Sequence, residues 1–346
     1  MNPASLDRAR GVLTALVALV VTLGLAALSL QIGGYSPTEA FAALIRGSIG
    51  QSTTFVSITL VRTVPLLLTG LAVALAFRAG VWNIGAEGQF YAGAVAGVWT
   101  GLTFATLPAL FLIPAVVLAS AAAGLAWSAV PALMKMRLGV GEVITTILMN
   151  FVAIQLVGWL VQGPMMESRG VFNQSDRLPE AAQLPALIPG SRLHVGFALA
   201  IGLAVLLWVV FRYSRFGFSV RAVGASQGAA EAGGRLPVAQ VTFVAFLASG
   251  AIAGIAGGVE VSGNTMALYE GLSPGYGYTA IAVALLAGLH PIGVIGTALL
   301  FGILEGGAAA MERSVGVPFY WVSAVEALVI LSVLLADRAL RRLGDD

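Results

Sequence analysis

One short polar stretch, Phe77–Phe90, carries the side chains best suited to binding chemistry in this sequence. It reads Phe-Arg-Ala-Gly-Val-Trp-Asn-Ile-Gly-Ala-Glu-Gly-Gln-Phe and places Asn83, Glu87 and Gln89 among three glycines. A helix that begins near Asn83 would present unpaired backbone N–H groups to a polar ligand. Alternatively, Asn83 caps the helix and Glu87 compensates the helix dipole, which gives the stretch a structural role. Both interpretations fit the residues.

Further polar residues lie where a solute path could run. Asn150 and Glu142 are eight residues apart on one predicted helix and so lie near one face. Asn264, Tyr276 and Tyr278 belong to a polar, glycine-rich stretch around a weakly apolar segment. Discontinuous helices of this kind mark substrate paths in transporters. Tyrosines could stack on a nucleobase there, although interfacial tyrosines are common in membrane proteins of every kind.

Several kinds of catalytic chemistry are absent from the sequence. There is no cysteine and there are only two histidines, which excludes disulfides and thiolate zinc sites and disfavours a polyhistidine metal site. The one lysine, Lys135, is followed by Met136 and is not preceded by glycine, so no Gly-x-x-x-x-Gly-Lys-Ser/Thr phosphate loop exists. The sequence also lacks the His-Glu-x-x-His and Gly-x-Ser-x-Gly motifs. It is therefore not expected to be an enzyme.

The composition of the 346-residue chain indicates that lipid is its main solvent. Hydrophobic residues make up 58%, charged residues 10%, and the mean hydropathy is +0.94. Soluble domains carry about a quarter charged residues. Ordinary soluble enzymes and nucleic-acid-binding proteins are thereby excluded, and we expect an all-α polytopic membrane protein.

Ten apolar segments are long enough to be candidate membrane helices, the shortest being the eighth. They are Gly11–Leu30, Val56–Phe77, Gly85–Phe104, Pro108–Leu133, Glu142–Val161, Leu193–Phe211, Ala239–Val259, Tyr276–Leu289, Ile292–Met311 and Phe319–Ala336. A further short helix, Pro37–Ile49, is expected to lie on the outer surface.

The charges orient these segments. Ten helices threaded from a cytoplasmic N-terminus put twelve of the eighteen Lys and Arg residues on the cytoplasmic side. Both termini are therefore predicted to be cytoplasmic. The chain is expected to form one permease-like membrane domain, residues 1–346, with an external loop, 162–192, and a cytoplasmic loop, 212–239.

A weak internal similarity suggests an inverted repeat. Leu68–Gly80 and Ala248–Glu260 share the spacing of their small residues, and each is followed by a polar stretch and another apolar segment. Five helices per half would place the halves in opposite orientations, as in many transporters. Chance resemblance between two Gly/Ala-rich helices explains the pattern equally well.

The cytoplasmic loop contains a second motif. We expect a short surface helix there, capped by Ser226 and ended by Gly233. The small side chains of Ala229 and Ala230 leave a smooth surface that could dock into a cleft of another protein. A solvated connector is the plainer alternative, but a connector need not be so rich in alanine.

Together the two motifs resemble those of a known family. Trp82-Asn-Ile-Gly-Ala-Glu-Gly-Gln89 is similar to the Asn-Ile-Gly-x-Glu-Gly-Gln signature of permease subunits of bacterial ABC importers of the branched-chain amino acid and ribose type. Gly224–Gly234 resembles the coupling helix of those subunits, with Ser226 in place of the usual asparagine. The resemblance runs from about Phe55 to Leu335 and is closest to the nucleoside and simple-sugar members.

The resemblance implies partners and a mechanism. A separate cytoplasmic subunit would bind and hydrolyse ATP, so this chain would hold no cofactor. A second permease subunit, favoured to be a different one, would complete the pathway. An extracytoplasmic, BmpA-like lipoprotein would deliver the solute to the external loop. The implied location is the bacterial cytoplasmic membrane, within lipid and without nucleic acid.

The resemblance and the polar residues described above together give the candidate residues. The coupling residues are Gly224, Ser226, Ala229, Ala230 and Gly233. The substrate-pathway residues are Trp82, Asn83, Glu87, Gln89, Asn150, Asn264, Tyr276 and Tyr278.

Three functions follow, in descending order of support. The first is an ABC permease for nucleosides, and the second is the same machinery for ribose-like sugars or another small polar solute. The third is a secondary transporter driven by an ion gradient, which would need an intramembrane carboxylate relay such as Glu305 and Glu326.

Overall fold

The computed structural model describes residue 20 and residues 23–233, 236–318, 320–325 and 327–328. Most of the first and last predicted segments, as well as Gly234 and Glu326, lie outside these residues. By internal packing the chain divides into a larger unit, residues 60–299, and a smaller unit formed by residues 1–59 and 300–346.

The described residues are almost entirely helical. The helices are α1 (Leu23–Ile32), α2 (Pro37–Ser48), α3 (Ser52–Arg78), α4 (Ala86–Thr103), α5 (Ala109–Leu138), α6 (Glu142–Gln162), α7 (Gly196–Tyr213), α8 (Arg215–Ala225), α9 (Gln227–Ala232), α10 (Val238–Thr265), α11 (Tyr276–Leu286) and α12 (Pro291–Val315). Two of them contain π-helical turns, at Phe55–Thr59 in α3 and Val261–Thr265 in α10.

Within these residues, six helices are long and apolar enough to cross a membrane, namely α3, α5, α6, α7, α10 and α12. The prediction of a polytopic all-α membrane protein is thus confirmed. The total of ten membrane helices stays a prediction. The short helix predicted at Pro37–Ile49 is present as α2, and its place on the outer surface stays a prediction. The segment predicted at Tyr276–Leu289 ends as a helix at Leu286, and eleven residues rise only about 16 Å. This helix is too short to cross a bilayer by itself.

Helix α10 lies at the centre of the larger unit, packed against α3, α4 and α5. Small residues make this packing close. A Cβ atom on Gly254 would overlap the carbonyl oxygen of Ser120 in α5, and one on Gly257 would overlap the carbonyl oxygen of Phe90 in α4. Helix backbones in lipid associate through such close contacts, because apolar side chains gain little by leaving lipid for protein.

The smaller unit has an apolar cluster of its own. Leu30, Ala40, Met311 and Val322 are buried in it together with neighbouring small residues. The indole Nε1 of Trp321 donates a 2.9 Å hydrogen bond to the Ser29 hydroxyl. These contacts join α1, α2 and the end of α12 with the residues that follow it.

The two long loops meet different partners. Residues of the 162–192 loop pair with the π-helical end of α10 and with the segment after it. Leu184 N–H donates to the Ser262 carbonyl and Ser175 N–H donates to the Leu268 carbonyl, both at 2.8 Å. The 212–239 loop forms α8 and α9, and Gly224 at the end of α8 packs on the backbone at Arg78.

Replacing Gly254 with alanine tests the packing of α10. Because the added Cβ meets the backbone of α5, we expect the free energy of unfolding to fall by about 1–3 kcal/mol. Thermal denaturation in detergent would show this as a lower midpoint temperature. Gly202→Ala in α7 is the matched control, because a Cβ there meets nothing within 4 Å. Equal midpoints for the two variants would contradict the close packing.

Candidate functional site

The polar turn between α3 and α4 begins where Gly80 ends α3. Gly80 has a φ of +74°, and Val81 N–H reaches back to the Ala76 carbonyl at 3.0 Å. This is the left-handed termination that favours glycine, because a Cβ would be strained there. Val81 then inserts into an apolar cluster with Ala132 and Phe246, which anchors the start of the turn.

Asn83 is the most highly connected side chain of the turn and is fully buried. Its carboxamide forms a reciprocal pair with that of Gln89, with both hydrogen bonds at 3.0 Å. Its Nδ2 also donates to the Ser249 hydroxyl of α10 at 2.9 Å, and its Oδ1 accepts from Gly85 N–H at 2.9 Å. Asn83 therefore joins the turn, α4 and α10.

Asn150 of α6 reaches the same turn from the other side. Its Oδ1 accepts from Gly88 N–H at 2.8 Å, and its Nδ2 donates to the Ile84 carbonyl at 2.9 Å. The first turn of any helix leaves backbone N–H groups without intrahelical partners. Asn150 thus satisfies one such group of α4 from a different helix.

Glu87 joins the beginnings of α4 and α11. It is buried in the first turn of α4, and its Oε2 accepts a 2.6 Å hydrogen bond from Gly277 N–H in the first turn of α11. A Cβ on Gly277 would overlap the backbone of Glu87. The carboxyl group thus lies against the positive ends of two helix dipoles.

Ser273 completes the beginning of α11. Its hydroxyl accepts from Gly275 N–H at 3.0 Å and from Tyr276 N–H at 2.9 Å, and its own N–H donates to the Tyr91 hydroxyl at 3.2 Å. Together with Glu87, it satisfies N–H groups that α11 cannot satisfy internally.

The structure brings six of the eight predicted pathway residues together. Asn83, Glu87, Gln89 and Asn150 are buried, and so is Tyr276, whose ring lies 5.9 Å from that of Phe90. Tyr278 lies near Asn150 and is 39% exposed. We call the five buried residues, together with Ser249 and Ser273, the buried network. Tyr278 is the exposed neighbour of this network.

The remaining two predicted pathway residues lie elsewhere. Trp82 is 53% exposed next to the network, with its ring 4.7 Å from that of Phe77. Asn264 lies in the π-helical turn of α10, where it donates to Glu260 at 2.7 Å and accepts from Arg192 at 3.1 Å. Asn264 therefore belongs to the region of the 162–192 loop.

The predicted coupling residues form a capped helix. The Ser226 hydroxyl accepts from Ala229 N–H at 3.2 Å, α9 follows, and Gly233 is its C-cap. Ala229 is exposed and Ala230 partly exposed. Gly224 precedes the cap and faces the backbone at Arg78.

Sequence reasoning missed Ser249, Ser273 and Gly277, because nothing near them in the chain indicates their distant partners. Glu142, which the sequence places on the same predicted helix as Asn150, lies in the first turn of α6. Its Oε1 in addition forms an ion pair with Lys135 Nζ at 2.7 Å.

Glu305 is buried. Among the described residues, no three His, Asp or Glu side chains are grouped to hold a metal ion.

Comparison with known proteins adds the following. Residues 55–334 match a family model described as branched-chain amino acid transport system / permease component. The chain is 37% identical over 345 residues to the glucose ABC transporter permease protein of Haloferax volcanii, covering 97% of this chain and 89% of the relative.

Two relatives come from Bacillus subtilis. The chain is 37% identical over 327 residues to the guanosine ABC transporter permease protein NupP, covering 93% of this chain and 92% of the relative. It is 30% identical over 263 residues to a second guanosine ABC transporter permease protein, NupQ, covering 71% and 79%.

Truncating Asn83 to alanine tests whether the buried network holds the helices together. The change leaves Gly85 N–H and the Gln89 carboxamide without their partner, and each such buried group costs about 1–3 kcal/mol. We expect a clear fall in the midpoint temperature of unfolding in detergent. Asn173→Ala, at an exposed asparagine of the long loop, should leave the midpoint within error. A tolerant Asn83 position would contradict the structural role of the network.

Proposed function

The chain belongs to the family of branched-chain amino acid transport system permease components and is a permease subunit of an ABC importer, and we propose that the solute it carries is a nucleoside. The family assignment means that ATP is hydrolysed by another subunit and that a binding protein delivers the solute. The chain itself is a multi-pass protein of the cell membrane and not an enzyme.

The similarity to two guanosine permeases of one organism carries the nucleoside proposal. The exposed Tyr278, next to the Asn150 carboxamide, supports it, because an aromatic face can stack on a base. Trp82 is a second exposed aromatic residue near the turn. In this proposal Trp82 and Tyr278 face the solute, whereas Asn83, Glu87, Gln89, Asn150 and Tyr276 position the helices around it.

A simple sugar is the second candidate solute. It is favoured by the 37% identity to the glucose permease of Haloferax volcanii, which equals the identity to NupP. Aromatic faces next to a carboxamide would also suit a sugar ring, so transport measurements must distinguish the two solutes.

The second permease subunit is proposed to be a different chain. The two guanosine permeases of Bacillus subtilis are distinct proteins, and this chain resembles NupP over more of its length than it resembles NupQ. We infer that this chain takes the position of the longer member of such a pair.

The proposed topology has ten membrane segments, of which α11 does not cross by itself, and both termini in the cytoplasm. The 212–239 loop packs on the Arg78 end of α3, whereas the 162–192 loop packs on the segment after α10. This separation supports the assignment of the two loops to opposite membrane faces. We propose that the first contacts the ATP-binding subunit through Ser226–Gly233, while the second contacts the binding protein.

The external loop has the polar surface that such a contact needs. A cavity of about 750 Å³ there is lined by Glu167, Arg169, Asp176 and Arg177, among others. Hydrogen bonds from the Gln174 side chain and the Phe172 N–H hold the pKa of the Glu167 carboxyl below its usual range. The Glu167 carboxylate is therefore charged at neutral pH.

The inverted repeat is also part of the proposal. Helices α3 and α10 contain the two similar segments, and each is followed by a polar stretch and a second helix, α4 or α11. The beginnings of these second helices meet at Glu87 and Gly277. A meeting of equivalent points supports a two-fold relation between the halves.

Uptake in proteoliposomes tests the coupling role. The chain is reconstituted with the ATP-binding subunit, second permease and binding protein encoded near it, and uptake of radiolabelled guanosine is measured with and without ATP. Ala229→Arg places a charged side chain on the docking face of α9, so we expect ATP-dependent uptake to be lost. Ala105→Arg, at an exposed alanine after α4, is the control. Uptake that follows a proton or sodium gradient and ignores ATP would contradict the proposal and favour a role for Glu305 and Glu326.

Competition distinguishes the two candidate solutes. We expect excess unlabelled nucleosides to reduce guanosine uptake, whereas excess glucose or ribose should have no effect. A direct test with labelled glucose completes the comparison. ATP-dependent glucose uptake without guanosine uptake would make the sugar the solute.

A further inference from the structure

The coupling loop, residues 212–239, rests directly on the backbone of the turn that holds the buried network. A Cβ on Gly224 would overlap the carbonyl oxygen of Arg78 and would lie 3.4 Å from the nitrogen of Gly80. A Cβ on Gly80 would lie 3.6 Å from the Gly224 Cα and 3.2 Å from the Gln227 Nε2. The backbones of the two segments thus touch at Gly80 and Gly224 without a side chain between them.

A contact of this kind is stiff. Long side chains can change rotamer when neighbouring elements move, whereas backbone pressed on backbone can only move together or separate. Gly80 is in addition fixed in the left-handed conformation that ends α3. The coupling loop therefore cannot approach the membrane without moving the residues around Gly80.

Two residues, Val81 and Trp82, separate Gly80 from Asn83 of the buried network. Val81 is 1% exposed among Ala132 and Phe246. Asn83 N–H donates to the Val81 carbonyl at 3.0 Å, which makes the turn compact. A displacement of Gly80 therefore reaches Asn83, and through it Gln89 and Ser249.

Other contacts join this turn to neighbouring helix ends. Arg78 Nη1 donates to the Leu289 carbonyl at 2.9 Å, and the guanidinium lies 5.4 Å from the centre of the Phe211 ring. Glu142 Oε1 accepts from Trp82 N–H at 3.4 Å and from Lys135 Nζ at 2.7 Å. The turn is thus linked to α6, α7 and the α11–α12 connection.

We propose that the Gly80–Gly224 contact is the joint through which movement of the coupling loop reaches the beginnings of α4 and α11. This inference rests on the proposed coupling role of α9. Gly80, Gly224 and Gln227 are positioning residues that act through Asn83 and Glu87. Loop and turn move as one body at this joint, and the rearrangement that moves solute occurs beyond it.

The first test separates ATP hydrolysis from transport. Gly224→Ala pushes the loop away from the Arg78 carbonyl and leaves the docking face of α9 unchanged. We expect binding-protein-stimulated ATP hydrolysis to persist while the ratio of guanosine taken up to ATP hydrolysed falls at least about five-fold, the lower end of ordinary coupling between sites. A purely structural lesion would lower both rates together and leave the ratio unchanged, which would overturn the proposal.

Matched variants keep this result interpretable. Gly141→Ala adds a methyl group to an exposed glycine before α6, where it meets nothing within 4 Å, and should keep the wild-type ratio. Gln227→Ala removes the side chain on Gly80 without placing new atoms in the contact and should lower the ratio to a smaller extent. If Gly224→Ala does not fold, Gln227→Ala becomes the deciding variant. A wild-type ratio of guanosine taken up to ATP hydrolysed in Gln227→Ala would then overturn the proposal.

Cross-linking tests whether the joint moves as one body. Because the chain has no cysteine, Val81→Cys with Gln227→Cys provides the only pair, and both positions line one cavity of about 230 Å³. A short bifunctional methanethiosulfonate across this pair should leave uptake unchanged from that of the same double-cysteine variant before cross-linking. Uptake lost on cross-linking and restored by reduction would show that loop and turn separate during transport, which overturns the proposal. Uptake unaffected by Ala229→Arg would instead refute the coupling role of α9 itself.

Discussion

Backbone N–H groups that begin a helix inside a protein embedded in lipid have no water to bind, and the arrangement of the larger unit follows from this constraint. Helices α4 and α11 both begin at buried positions next to each other. Glu87, Asn150 and Ser273 supply the missing acceptors, each from a different element of the chain. The glycines of the turn and Gly277 of α11 allow the approach that these short hydrogen bonds require.

This constraint changes how the family's Asn-Ile-Gly-x-Glu-Gly-Gln motif is understood. Its amide and carboxyl groups form hydrogen bonds with backbone groups at helix ends and with one another, and they are buried. Polar groups at membrane depth are often taken as direct solute ligands. Here they position α4 and α11, while the side chains left accessible beside them are the aromatic rings of Trp82 and Tyr278. The same turn contacts the 212–239 loop at Gly80, so in the proposed mechanism one short stretch serves both the ATPase side and the helices of the pathway.

Much of the fold could be predicted from the sequence, because lipid imposes length and hydropathy on each spanning helix. The segment predicted at Glu142–Val161 differs from α6 by one residue, and Ser226 caps α9 as expected. The membership of the network could not be predicted. Ser249 and Gly277 lie 166 and 190 residues from their partners Asn83 and Glu87, and a single serine or glycine in an apolar helix carries no pattern that indicates a distant contact. Gly224 was expected as a coupling residue, but its contact with the Arg78 backbone could not be predicted, because that contact depends on the absence of a side chain.

Thiol accessibility in the assembled transporter tests most directly whether the motif holds helices or binds solute. Single cysteines at Ser249, in the buried network, and at Tyr278, beside it, can be compared in a chain that has no cysteine of its own. We predict that Tyr278→Cys reacts with a small thiol reagent and is protected by nucleoside, while Ser249→Cys stays unreactive during ATP turnover. Labelling of Ser249→Cys that nucleoside prevents would place the network in the solute path and contradict this account.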